Sequence, residues 1–264
     1  LTLSFLASEG YYLLQKGDRA FMQEAVKKLC DEWNERGTAV FLTGAGASTD
    51  SGLYDFTGVG GEYAKASVKH ILSRDFMLEN PAIFNQYCRD RLYAPFAKPN
   101  KFHKALADWE ATGLVFGIIT QNIDSLHQRA GSKNVLELHG NMETVYCDEC
   151  KRSGKSKQLY EKNRPNKCPH CGGVIRPAIL LYGEQIGKDV YDASLRMVEK
   201  VPLLIVAGTR LKVTAPMDII NHFKQKTGGL TVYIGNTPPD DGEFDLMVLG
   251  NIGAITDEMR KYMF

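Results

Sequence analysis

Two groups of residues in this chain have the types and spacing for chemistry. The first is Thr120-Gln121-Asn122-Ile123-Asp124, followed by Leu138-His139-Gly140. Residues 114–120 form a short β-branched apolar run, the pattern of a strand buried on both faces. Such a strand delivers the polar residues to its carboxyl end, where open α/β sheets place their ligands. Asn122 or Asp124 serves equally well to cap a helix beginning near Ser125. His139 is the only nearby group that titrates near neutrality, although alone such a histidine is more often structural than catalytic.

The second group is Cys147-Asp148-Glu149-Cys150 with Cys168-Pro169-His170-Cys171, seventeen residues apart. The segment between them is basic (Lys151, Arg152, Lys155, Lys157, Lys162, Arg164, Lys167) and too poor in apolar residues to fold on its own core. Four thiolates holding one zinc ion tetrahedrally supply the missing cohesion. A closed four-thiolate site leaves no open position for catalysis, so this zinc is a staple, and His170 is superfluous to the ligand count. Cys30 and Cys88 stand apart from any motif, and the pairing of the other four is metal spacing rather than a disulfide framework.

The elements that must position these groups alternate along the chain. Residues 1–36 read as helical, with Ala20, Met22, Ala25, Val26, Leu29, Cys30 and Trp33 in one stripe and Gly37 placed to end it. Residues 38–43 then form an apolar strand running into Gly44-Ala45-Gly46-Ala47-Ser48-Thr49. A strand, a glycine turn and a helix start let backbone N–H groups approach a pyrophosphate. Thr49 stands where the third glycine of the dinucleotide pattern belongs, and a plain tight turn explains a lone Gly-x-Gly as well. The glycines near residue 60 read as a loop beside a ligand, since each costs about 1 kcal/mol in a helix. Residues 60–99 read as a helical insertion, and 67–109 as helical pieces broken at Pro81, Pro95 and Pro99. Apolar strands at 179–182, 202–207 and 230–234 end in Gly183-Glu184, Gly208-Thr209 and Gly235-Asn236. Helices are expected at 189–200 and 216–226. The alternation predicts an α/β fold: a Rossmann-like parallel sheet with helices on both faces, plus a small inserted domain made of a zinc ribbon and a helical module.

With 264 residues, 44% hydrophobic, 24% charged and a net charge of +1, the composition is that of an ordinary globular protein. It calls for neither nucleic acid nor membrane. No run has the length of a transmembrane helix, and the first residues lack signal-peptide order, so the expected compartment is the cytoplasm.

Taken together, Gly44 to Thr49, Asp55-Phe56, Thr120 to Asp124, His139-Gly140, the two cysteine pairs and Gly208-Thr209 resemble the sirtuins. The likeness runs in the same order from about Val40 to the C-terminus. It includes Ala97 to Asn100 with His103, and Gln128 to Ser132, and is similar to the compact bacterial members. It implies an NAD-dependent protein-lysine deacylase acting on acylated protein or peptide lysines. Ala45, Gly46, Ser48 and Thr49 would line the diphosphate and ribose, Phe56 would cover the nicotinamide site, and Asp55 and Thr57 would also belong to the cofactor site. Gln121 and Asn122 would meet the nicotinamide ribose, and Ile123 and Asp124 the carboxamide. Gly208, Thr209, Arg210 and Asn236 would serve the adenosine end. Cys147, Cys150, Cys168 and Cys171 would hold the zinc.

In the implied reaction the acyl oxygen attacks the ribose and nicotinamide leaves. His139, with Asn122 beside it, acts as the base that deprotonates a ribose hydroxyl. The resemblance divides the chain into a Rossmann-like domain of residues 1–59, 100–142 and 178–264, and a small domain of 60–99 and 143–177. Thr57 replaces the family's usual arginine, and Arg210 stands where a serine is usual, so Arg210 is expected to replace part of the lost charge. Gly235-Asn236 is shifted relative to the family's strand-end asparagine. Tyr63 is followed three residues later by Ala66 instead of arginine, which predicts a preference for uncharged acyl chains. The alternatives are transfer of ADP-ribose to protein, NAD hydrolysis, or a non-catalytic NAD or ADP-ribose sensor. A monomer is the default expectation.

Overall fold

The computed structural model describes residues 19–53, 66–160 and 166–263. Asp55, Phe56, Thr57 and Tyr63, and the helical reading of residues 1–18, lie outside them. Helix α1 (Arg19–Arg36) turns the predicted Ala25, Val26, Leu29, Cys30 and Trp33 stripe inward. It is stopped by Gly37 at φ +92°, whose N–H reaches the Trp33 carbonyl at 2.8 Å. A glycine there avoids the Cβ clash of the left-handed region. Strand β1 (Ala39–Thr43) is buried along its whole length.

Helices α2 (Ala66–Ile71), α3 (Arg74–Glu79) and α4 (Pro81–Tyr87), then a π-helical turn over Cys88–Leu92, make up the helical insertion. Pro81 opens α4 at its first turn, where a missing N–H costs nothing. Helix α5 (Lys101–Ala111) begins at Asn100, whose Oδ1 accepts from the backbone of Phe102 and His103. After it come β2 (Val115–Thr120), α6 (Leu126–Ala130) and β3 (Val135–Glu137). The zinc segment contributes β4 (Gly140–Cys147), β5 (Ser153–Lys155), α7 (Ser156–Tyr160) and β6 (Ile175–Ile179). The chain closes with α8 (Lys188–Val198), β7 (Leu203–Ala207), α9 (Thr214–Thr227), β8 (Leu230–Gly235), β9 (Leu246–Leu249) and α10 (Ile252–Met259).

Six parallel strands form the main sheet in the order β3-β2-β1-β7-β8-β9. The chain builds outward from β1 in one direction and from β7 in the other, so the order reverses between them. That reversal opens a crevice at the carboxyl ends of β1 and β7. One face packs on α1, α5 and α10 through Trp33, Phe41, Phe102, Leu106, Ile205 and Val232. The other packs on α8 and α9 through Leu42, Ile119, Val198, Leu204, Ile219 and Phe223. Each such side chain contributes about 1.5–3 kcal/mol by leaving water.

The expected strand at 179–182 is corrected. Ile179 ends β6, which pairs antiparallel with β4 in a separate three-stranded sheet of order β5-β4-β6. Its apolar residues serve a third core shared with the helical insertion, including Val68, Met77, Phe84, Val145, Ile179 and Leu181. A buried run signals burial, not which sheet it joins. The helix that starts in the glycine turn after β1 is a 3-10 helix, Ala45–Ser51. β3 and β9 escaped the sequence reading because they are short edge strands of three and four residues.

Candidate active site and metal centre

The glycines after β1 meet the loop after β7. A Cβ on Gly44 would lie 2.6 Å from the Thr209 Cβ, and one on Gly46 would lie 2.8 Å from the Gly208 Cα. The Gly46 N–H donates to the Gly208 carbonyl at 2.7 Å. Gly208, at φ +66°, would itself drive a Cβ to 2.4 Å from the Ala47 nitrogen. These small residues therefore let two loops close on one another at the point where the strand order reverses.

The polar stretch after β2 enters the same crevice. Asn122 is 8% exposed, and its Nδ2 donates to the Gly44 carbonyl at 3.0 Å and to Ser48 Oγ at 3.1 Å. Both N–H groups are thereby committed, and the amide can offer a ligand only its Oδ1 acceptor. Ser48 in turn donates to Asp124 Oδ2 at 2.6 Å. The other Asp124 oxygen accepts from the Leu126 N–H at 2.8 Å. Asp124 thus both starts α6 and holds the glycine turn, so its capping and site readings coexist. Burial pushes its carboxyl up, while Ser48 and the Leu126 N–H pull it down. Gln121 Nε2 donates to Thr209 Oγ1 at 3.0 Å, tying the loop after β2 to the loop after β7. Ile123, half-buried, packs on the small domain's core.

His139 sits between β3 and β4, with Nδ1 2.9 Å from the Gln121 carbonyl. A carbonyl only accepts, so Nδ1 carries the hydrogen and Nε2 keeps its lone pair. Burial lowers its pKa, partly offset by that hydrogen bond, and the ring is therefore neutral at pH 7. Gly140 fixes the backbone beside it: at φ +69° a Cβ would fall 1.8 Å from the Ala178 carbonyl. That close approach is what lets β4 pair with β6 directly after the histidine.

Residues not singled out by their own pattern support this arrangement from below. The rings of His103 and His127 meet at a 60° tilt with centroids 4.7 Å apart. His103 Nε2 lies 3.4 Å from Ser48 Oγ, and His127 Nε2 lies 3.0 Å from Thr43 Oγ1. Burial lowers His103 to about 4 and His127 well below its ordinary value. Asn100 Nδ2 donates to the Ala47 carbonyl at 2.8 Å, fastening the glycine turn to α5. No local spacing could have flagged these contacts, which join three separate stretches of chain.

Arg210 lies beside the loop with its Nε 3.2 Å from Asp240 Oδ1 and an Nη on the same oxygen. Its guanidinium is thus paired with a carboxylate. Asn236 follows the end of β8 and is exposed. An open groove is lined by Glu137, Leu138, Gly140, Ala178 and Gly183, which include the chain neighbours of His139.

The four cysteine Sγ atoms lie within 4.8 Å of one another. Cys147 and Cys171 are 3.5 Å apart, and Cys150 and Cys168 are 3.7 Å apart. A tetrahedral zinc with bonds of about 2.3 Å spaces its sulfurs about 3.8 Å apart. The thiol set therefore fits one zinc ion, with no fifth donor needed.

Comparison with known proteins gives a consistent picture. The Sir2 family model matches residues 44–215. The NAD-dependent protein deacetylase of Fusobacterium nucleatum is 38% identical over 85% of this chain and 88% of its own. That of Thermotoga maritima is 38% identical over 82% and 89%. A solved structure described as the structural basis of sirtuin substrate affinity superposes with a TM-score of 0.81 at 34% identity, covering 89% of this chain and 98% of its own. A Sir2 structure holding an inhibitor, 2'-O-acetyl-ADP-ribose and a deacetylated p53 peptide superposes with a TM-score of 0.77 at 32% identity, over 90% and 97%.

Proposed function

The chain belongs to the Sir2 family, and on that footing we propose that it is an NAD-dependent protein-lysine deacylase. It converts acetylated lysines of proteins or peptides to free lysine, with nicotinamide and O-acyl-ADP-ribose as the other products. The observation that carries this reading is the setting of His139: a neutral ring, oriented through Nδ1, with the lone pair on Nε2, on a backbone whose neighbours Leu138 and Gly140 line an open groove. Glycosidic cleavage alone needs no base on a ribose hydroxyl, whereas acyl transfer to that hydroxyl does.

NAD supplies the electrophilic ribose carbon and the nicotinamide leaving group. In this reading Ala45, Gly46, Ser48 and Thr49 border its diphosphate and ribose, and Asp55, Phe56 and Thr57 complete the nicotinamide side. Asn122 presents its Oδ1 to a ribose hydroxyl, since its N–H groups are taken. Gln121, Ile123 and Asp124 fix the rest of that end, and Gly208, Thr209, Arg210 and Asn236 the adenosine end. Arg210 works there as a partner of Asp240 at the rim. Cys147, Cys150, Cys168 and Cys171 hold one structural zinc.

The Rossmann-like domain takes residues 1–59, 100–139 and 183–264 and the small domain residues 60–99 and 140–182, since β4 pairs with β6 and Met142, Ile179 and Leu181 join the small core. The acyl peptide lies between them as an added strand. The protein acts as a cytoplasmic monomer on uncharged acyl chains. Among the described residues no helix is long and apolar enough to cross a membrane.

The test is nicotinamide release from NAD by wild type and His139→Ala, with and without an acetyl-lysine peptide. Release should require the peptide and accompany its deacetylation. Losing the base should slow deacetylation by roughly 10²–10⁴-fold. Release without acyl peptide would instead mean an ADP-ribosyltransferase or NAD hydrolase, and NAD binding without release would mean a sensor.

A further inference from the structure

We infer that Tyr233 is a positioning residue for the dinucleotide site, its hydroxyl locking the loop after β7 to the loop after β8. The side chain is 2% exposed, and its ring packs on Phe244 at 5.4 Å. The hydroxyl lies 3.0 Å from the Thr209 carbonyl and 2.9 Å from the Thr237 carbonyl. Both carbonyls can only accept, so the phenol proton is shared between the two loops. The chain is built around that contact, because a Cβ at Gly235 would lie 2.6 Å from the hydroxyl. The tyrosine oxygen thus fills the space at the end of β8 that a side chain on residue 235 would need.

The tie reaches further than two loops. Thr209 Oγ1 also accepts from Gln121 Nε2 at 3.0 Å and from the Leu211 N–H at 3.2 Å. Gly208 and Thr209 rest on Gly44 and Gly46. One hydroxyl therefore helps to fix a hub joining the loops after β1, β2, β7 and β8. Loops already fixed lose less conformational freedom when a ligand binds, which strengthens binding without a new contact. Tyr233 meets no reacting atom, so its effect belongs to NAD affinity rather than to the chemical step. This assignment rests on the reading that these loops hold NAD.

The experiment measures kcat and KM for NAD and for acetyl-lysine peptide, and the Kd for ADP-ribose, on wild type, Tyr233→Phe, Gly235→Ala and the double variant. Removing the hydroxyl should raise the KM for NAD and the Kd for ADP-ribose by roughly 5–20-fold, as expected for losing one shared buried hydrogen bond. The kcat and the peptide KM should stay within about twofold, because the bond lies away from the reacting centre. Gly235→Ala should weaken NAD binding in the wild type and less in the Tyr233→Phe background, since the 2.6 Å collision is then gone and only ring carbons at 3.0 and 3.1 Å remain. A lowered melting temperature with unchanged KM for NAD would assign Tyr233 to packing alone and overturn the inference. Wild type that binds no NAD would overturn it together with the proposed function. Wild type that turns over NAD while Tyr233→Phe keeps its KM would overturn this inference only.

Discussion

At the scale of single residues, the site depends on buried groups held in one protonation state. His103 and His127 are neutral because burial penalises their charged forms. In the unfolded chain the same residues take up protons near pH 6.5. Between that pH and about 4, where His103 titrates in the fold, the unfolded state binds more protons, so stability falls as pH falls. The loss from His103 is roughly 2–4 kcal/mol once the pH reaches the lower value. Urea unfolding at pH 7.5, 6 and 5 should show the decline, and His103→Gln should flatten it. A His103→Gln variant that declines as steeply as wild type would contradict this. Asp124 and Glu137, raised by burial, act in the opposite sense, so the informative quantity is the difference between variant and wild type.

Among elements, the joint between the helical insertion and the three-stranded sheet is electrostatic as well as apolar. Arg176, on β6, is fully buried, and its guanidinium meets both carboxylate oxygens of Glu184 at 2.5 and 2.9 Å. Arg74, on α3, reaches Glu184 at 3.1 Å and Asp148, in the first cysteine turn, at 3.0 Å. Helical insertion, zinc turn and groove-lining loop thus share one set of charges. The two arginines differ in exposure, and that decides their weight. Glu184→Ala strands a buried guanidinium and should cost about 3–5 kcal/mol. Arg74→Ala removes a cation that is 39% exposed and should cost about 1 kcal/mol or less. Denaturant titration of the two variants separates them, and equal losses would refute this account.

For the molecule as a whole, the zinc centre and the main sheet are separable sources of order. The three-stranded sheet is small, and β5 is only three residues long, so the four thiolates carry much of its cohesion. Chelation should release one zinc per chain and lower the first unfolding transition. The parallel sheet, packed on both faces, should keep a second, later transition. Loss of all ordered structure in a single step on chelation would show that the domains stand or fall together.

Much of the fold and site was legible locally. Apolar runs ending in glycine or polar pairs marked β1, β2, β7 and β8, and cysteine spacing marked the zinc set, because periodicity and ligand count are properties of adjacent residues. The types and order of Asn122, Asp124 and His139 were equally plain. What required the tertiary structure was which loops meet. The glycines after β1 accommodate Gly208 and Thr209, residues 179–182 serve the small domain, and Arg210 is engaged by Asp240. His103 and His127 owe their roles to contacts 55 and 84 residues away, and Tyr233 to one 24 residues away. Sequence determines the local pattern and the chemical inventory. The sheet order, which reverses between β1 and β7, decides which of those groups share one crevice, and that order is set by packing of distant segments.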